Sequence, residues 1–403
     1  MPKRIFVFLA VIVVPLVLVG FLSSQCSAGP VARGQGIGGW DNIQLVPATN
    51  ATQLQAVPCI AVSQAPGGPY AQLNLTLPSE VSAVIMTDVW NTRSGGGDVT
   101  VRACRTHVSA YVNVSSATAS DIYDTVMGYP EIMYGYKPWG QTVTGESPYL
   151  QLPQMVGRLP PILAYLNYTL NFTNGRGDFS FDIWVTRSYE PSSVTSGDLE
   201  VMVWFYHTPG FNPMGYPAPN ATFYVPTFIN GTPVNATWQA YVARSIPWTY
   251  IAMVLSPPVS SGSIEVPLTQ LLGDAGQLYD RLWNYSFNDM YLNDIELGME
   301  YTSLKWPPVD VSVTAWYRLY SFGFLVPLEA TTTVTKVVTQ TASPMALTST
   351  TTTTTIMTSI ITSSVKATSA GRQEANSIYL AAAAAIVGIL IGFYLGSRRR
   401  AGH

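Results

Sequence analysis

Glu200 lies in a stretch of sequence where a carboxylate is costly. The run Asp198-Leu-Glu-Val-Met-Val-Trp-Phe-Tyr-His207 is apolar enough to form a buried strand. Alternation sends Leu199, Val201, Val203 and Phe205 to one face and Glu200, Met202 and Trp204 to the other. The first set is a core face. The second puts an acid, a thioether and an indole in a row. A buried carboxylate is expensive unless it is paired or used. Acids beside aromatic rings on a sheet face suit sugar chemistry, because rings stack on pyranose C–H faces and paired carboxylates cleave glycosidic bonds. Other acids on strand-like segments are Glu131, Asp182, Asp294, Glu296 and Glu300. Asp294, Glu296 and Glu300 share one parity, so alternation alone does not choose among them.

The elements that must position these acids are mostly strands. Val81–Met86, Val99–Cys104, His107–Val114, Leu163–Asn171, Phe179–Val185, Trp238–Ala243, Tyr250–Leu255, Tyr291–Gly298 and Val309–Tyr317 alternate or are rich in β-branched residues. Clusters such as Ser94–Asp98 and Thr173–Gly177 read as the turns between them. One segment, 268–283, carries apolar residues at the three-four spacing of an amphipathic helix. Many strands and one packed helix predict an all-β, jelly-roll β-sandwich.

The ends of the chain read differently. Met1-Pro-Lys-Arg followed by the apolar run Ile5–Leu22 and small residues has the form of a secretory signal, over 1–28. Residues 329–374 are dominated by Thr and Ser and read as an O-glycosylated stalk. Residues 375–397 are long and apolar enough to span a bilayer, and the Arg cluster of the 398–403 tail should stay cytoplasmic. The folded unit is then 38–328, exported and tethered to the extracellular face of the membrane. Nine Asn-X-Ser/Thr sequons and the low formal charge of −3 fit that setting, and the charge carries no nucleic-acid signature. Of the three cysteines, Cys26 sits at the signal boundary, and export favours a disulfide between Cys59 and Cys104. Three histidines are too few for a His-based metal site, and no cofactor is expected.

Several segments, in order, resemble the glycoside hydrolase family 12 endoglucanases. Gly197-Asp-Leu-Glu-Val-Met-Val-Trp204 resembles their nucleophile strand, and Phe181-Asp-Ile-Trp184 the strand whose aspartate bonds the nucleophile. Glu296-Leu-Gly-Met-Glu300 resembles the strand ending in the acid/base, with Met299 in place of the usual Thr. Tyr129–Trp139 is similar to a segment of the family's thermophilic branch, and Asp88-Val-Trp-Asn91 to the strand bearing a sugar-stacking tryptophan. The resemblance covers roughly residues 40 to 320. It implies Glu200 as nucleophile, Glu300 as general acid/base and Asp182 as the partner of Glu200, in a retaining endo-β-1,4-glucanase acting on β-glucan as a monomer. It implies a groove containing Trp90, Asn91, Glu131, Tyr134, Trp139, Met202, Trp204 and Trp238, although Trp139, Trp204 and Trp238 suit a sandwich core equally well. Two other readings fit the same chain: a non-catalytic lectin or adhesin on this fold, and a structural envelope protein.

Overall fold

The computed structural model describes residues 39–47, 51–121, 124–244, 246–302 and 307–328. The expected signal, stalk, anchor and tail, with Cys26 and Asn50, lie outside them. Among the described residues no helix is long and apolar enough to cross a membrane.

The protein is a jelly-roll β-sandwich. One layer runs in the order Gln72–Thr76, Ser82–Met86, Glu131–Lys137, Asp294–Gly298, Arg176–Thr186, Leu199–His207, Thr249–Ser256, Thr232–Ala243 and Tyr216–Ile229. Its neighbours are antiparallel except Leu199–His207 and Thr249–Ser256, which are parallel. The second layer runs Cys59–Gln64, Thr92–Cys104, His107–Ala119, Val311–Pro327, Leu163–Asn174 and Ser261–Pro267. Trp40–Val46 pairs with the far half of Val311–Pro327. The layers join where Phe228 and Ile229 meet Glu265 and Ile264.

Alternation decides which side chains fill the space between the layers. Leu199, Val201, Val203 and Phe205 are all fully buried in the main core. Aromatic rings close the gap between the sheets: Phe181 meets Phe322 at 5.7 Å, Phe179 meets Tyr317 at 5.2 Å and Tyr134 meets Phe324 at 5.6 Å. Such tilted pairs add to the free energy of area burial. The hairpin of Tyr216–Ile229 and Thr232–Ala243 turns on Asn230-Gly231, both at positive φ (52° and 74°). That is the backbone a two-residue hairpin needs, and Asn-Gly adopts it at low cost.

The helix Leu268–Leu282 buries Leu268, Leu271, Leu272, Ala275, Leu278 and Tyr279, on the expected face. It also steadies the entry to the Glu200 strand. Tyr279 donates its hydroxyl to the Gly197 carbonyl and accepts from Arg187 Nη2 at 3.0 Å. Asp198 closes the turn, accepting from Arg187 N at 2.8 Å and Thr195 N at 2.7 Å. One expected turn is absent: Ser94–Asp98 lies inside the strand Thr92–Cys104, where its glycines form bulges in the pairing with His107–Ala119. Bulges admit residues without a fixed pleat, so a glycine cluster inside a strand imitates a turn. Cys59 and Cys104, opposite each other at the edge of the second layer, are joined by a disulfide.

Candidate active site

The outer face of the first layer collects the acids. Glu200 pairs with Trp184, Met202 with Asp182 and Trp204 with Ser180 across the Arg176–Thr186 strand. On that strand's other side Asp182 pairs with Glu296 and Ser180 with Gly298. Beyond Gly298 the ladder breaks. Met299 turns fully into the core, while Glu300 is half-buried on the open side. Pairing resumes with Gly177 opposite Tyr301. A Cβ at Gly177 would stand 1.9 Å from the Glu300 carbonyl oxygen, so only glycine lets the two backbones come this close.

Glu200 is 8 % exposed, and its Oε2 accepts the Nε1–H of Trp248 at 2.6 Å. Trp248 packs edge-to-face on Trp139 and Trp184, each at 5.5 Å, and Trp139 meets Trp184 at 4.4 Å. Three indoles therefore wall one side of Glu200. Burial pushes the Glu200 carboxyl up to about 8; the Trp248 bond opposes that rise and the Glu300 charge adds to it. Asp182 is also held well above the ordinary carboxylate range, by burial and then by the charge of Glu200. Its Oδ1 is buried with no donor among the described residues. A proton shared with a neighbouring acid is the economical way to satisfy such an oxygen. Burial likewise raises Glu300, and Asp178 raises it further.

A second group of charges lies across Glu296. Lys137 Nζ donates to Glu131 Oε1 at 2.9 Å and to both oxygens of Glu296 at 2.8 and 2.7 Å, and Asp88 Oδ2 stands 3.3 Å away. Burial works against the ammonium charge, but the three carboxylates outweigh it and hold Lys137 above the usual lysine range. Glu131 and Glu296 are both fully buried, so they are part of the floor and not its open surface. This separates two acids that parity left equivalent: Glu296 is fully buried and bound on both oxygens, whereas Glu300 is only partly buried.

Four expected groove residues are placed elsewhere. Trp238 is wholly buried in the core, edge-on to Phe205 at 6.1 Å. Tyr134 is also in the core and donates its hydroxyl to the Leu150 carbonyl at 2.7 Å. The Asn91 side chain holds a loop, donating to the carbonyls of Asp121, Asp124 and Val126 and accepting from Asp121 N at 2.7 Å. Glu131 belongs to the lysine cluster. Trp90 and Trp139 remain accessible, at 49 % and 37 % exposed. Met202 and Trp204 do face the site, but Phe211 stacks on Trp204 at 5.4 Å and 3° and covers it. Trp248, Asp178 and Lys137 are the residues that sequence reasoning missed. Lys137 lies in the Tyr129–Trp139 segment, and Asp178 has the parity of Asp182 but adjoins a turn-like cluster. Trp248 lies in a loop and gave no periodic signal.

Two clefts lie away from these acids: about 510 Å³ around Asp41, Gln44 and Tyr149, and about 410 Å³ around Arg102, Tyr111 and Trp316. The site is therefore recognised by converging carboxyls and indoles. Acids and indoles gathered on one face of a sandwich are the groups that glycoside hydrolysis uses. The chain belongs to glycosyl hydrolase family 12, whose model matches residues 82–316. Solved structures similar to it include endoglucanase Cel12A from Rhodothermus marinus, at 22 % identity over 67 % of this chain and 100 % of that one, TM-score 0.47. The family 12 xyloglucanase from Bacillus licheniformis is 17 % identical over 67 % and 100 %, TM-score 0.47. Endoglucanase 3 from Trichoderma harzianum is 15 % identical over 67 % and 98 %, TM-score 0.45. No curated protein matches the chain.

Proposed function

We propose that the protein is an endo-β-1,4-glucanase that cuts cellulose-like or mixed-linkage β-glucan with retention of configuration. The observation that carries this reading is the setting of Glu200: a buried carboxyl with one oxygen bound to Trp248, with a second, partly buried acid, Glu300, near enough for its charge to act on it. Glu300 protonates the glycosidic oxygen as the bond to the leaving chain breaks. Glu200 attacks the anomeric carbon through Oε1, because Oε2 is held by the indole. Positive charge developing at that carbon favours ionised Glu200, and Asp182 takes up the proton that Glu200 shares with it. Water, deprotonated by Glu300, then releases the glycosyl group. Retention asks for carboxyls about 5–5.5 Å apart. Trp90 and Trp139 supply exposed rings on which glucose units can stack. The sequence pattern of the termini supports action outside the cell, tethered at the membrane, on polymer too large to import.

Reducing-sugar release should be tested on carboxymethyl cellulose, barley mixed-linkage glucan and xyloglucan, using the full chain in detergent. Release is expected from the first two. A chain that cleaves none of the three is not a β-glucanase, and one that cleaves xyloglucan alone has a different substrate from the one proposed.

A further inference from the structure

Asp178 has no part in the scheme above, yet it is fully buried beside the proposed acid/base. Its Oδ1 accepts the Ser180 hydroxyl at 2.7 Å. Its Oδ2 is buried and finds no donor among the described residues. The group next to it is the carboxyl of Glu300, brought there by the close approach at Gly177 and the pairing of Gly177 with Tyr301. An unpaired buried carboxylate oxygen is costly, and two carboxyls in contact remove the cost by holding one proton between them.

We propose that Asp178 is a positioning residue for Glu300: the two carboxyls share a proton, and the Ser180 hydroxyl biases it onto Glu300. The proposal rests on the reading of Glu300 as acid/base. The bias follows from the bonding. A hydroxyl donated to Oδ1 stabilises Asp178 in its ionised form, so the shared proton belongs to Glu300 and points at Oδ2 until substrate arrives. When Glu300 gives that proton to the leaving oxygen, two like charges are left side by side. That repulsion makes Glu300 a stronger base for the water that follows. One neighbour thus serves both halves of the reaction.

Among the described residues, no cation acts on this pair. Asp182 and Glu200 face it from the same sheet, Asp124 from the loop before Val126, and Tyr250 from the Thr249–Ser256 strand. Tyr129 donates its hydroxyl to the Ser180 carbonyl at 2.7 Å. His207 is the cross-strand partner of Asp178, and a bulge at Phe179/Ser180 turns it to the side of Trp204. Arg176, two residues along the strand, is turned to the Gly210 carbonyl at 3.3 Å. Burial and Asp178 act together to keep Glu300 protonated, consistent with the shared proton.

The test is the pH dependence of kcat/KM on barley glucan for the full-length enzyme and two variants. In Asp178→Asn the like charge is gone and an amide donor favours ionised Glu300, so the alkaline limb should fall by about 1–3 pH units. KM should change little. Ser180→Ala keeps both carboxyls and removes only the bias, so its limb should move the same way by less, which covers the case in which Asp178→Asn does not fold. Glu300→Gln is the separate control. It should lose polysaccharide cleavage but keep glycosylation by aryl glycosides with good leaving groups, rescued by azide. If Glu300→Gln behaves so while the alkaline limb of folded Asp178→Asn and Ser180→Ala stays at the parent's position, Asp178 has no such role and the acid/base reading stands. If Glu300→Gln still cleaves barley glucan, the acid/base reading itself fails.

Discussion

Glu200→Gln is expected to lower turnover on soluble β-1,4-glucan by roughly 10³-fold or more, with the fold intact. An amide has nearly the volume of the carboxyl and can still accept the Trp248 indole N–H, so the tryptophan wall should keep its arrangement. It cannot attack an anomeric carbon. Substrate affinity should be largely kept, because the exposed rings of Trp90 and Trp139 are untouched. The variant should also be at least as stable as the parent. Glu200 is an acid lifted to about 8 by burial, and its charge raises Asp182 beside it. Neutralising it removes a cost that the folded chain bears for activity. A calorimetric scan and a reducing-sugar assay on the same sample check both statements. Glu200→Gln with near-parental turnover would remove the nucleophile assignment.

Lys137→Met is expected to have the largest effect on stability. The ammonium balances Glu131, Glu296 and Asp88 inside the floor of the site. Breaking a buried ion cluster by removing one partner costs about 3–5 kcal/mol, because the remaining charges stay buried. The loss should depend on pH, and its sign follows from the acids. Burial raises Glu200 from 4.5 to about 8 and Asp178 from 3.8 to about 7, and it also raises Glu131, Asp182, Asp294 and Glu300. An acid whose folded value is raised contributes stability that is present at low pH and is lost as pH rises towards the folded value. The parent should therefore melt at progressively lower temperature between about pH 4.5 and pH 8. Lys137 is raised above the lysine range, so its contribution is constant across that window and is lost only at higher pH. Without it, Glu131 and Asp88 lose the charge that lowers them, and the fall with pH should steepen. Melting temperatures of both proteins from pH 4 to 8 check this; a parent curve that rises across the window would show the acids to be differently held.

Much of this was legible in the residues. The period-two pattern from Leu199 to Phe205 states which side chains fill the core, and the three-four spacing of 268–283 states the helix. Face assignment failed where both faces are apolar. Trp238 and Tyr134 sit on strands of the site layer but point inward, and an aromatic residue suits either side until register is known. Asn91 carried the expected motif, yet its amide is consumed by three carbonyls of a loop distant in sequence, which no local pattern encodes. The same holds for Lys137 and Glu296, whose bond spans 159 residues. Asp178 was hidden by its neighbours, since Thr173–Gly177 reads as a turn and the strand begins within it, at Arg176. His207 faces the site only because a bulge shifts the parity of its strand. Local periodicity therefore reports which residues form a sheet face, and long-range register decides which of them meet.

The claim that two carboxyls act by double displacement is tested most directly by the configuration of the first product. Proton NMR of barley glucan digested by the full-length enzyme, recorded before mutarotation, should show the β-hemiacetal forming first and the α-anomer appearing only as it equilibrates. An α-hemiacetal formed first would mean single displacement by water and would contradict the assignment of Glu200 as nucleophile.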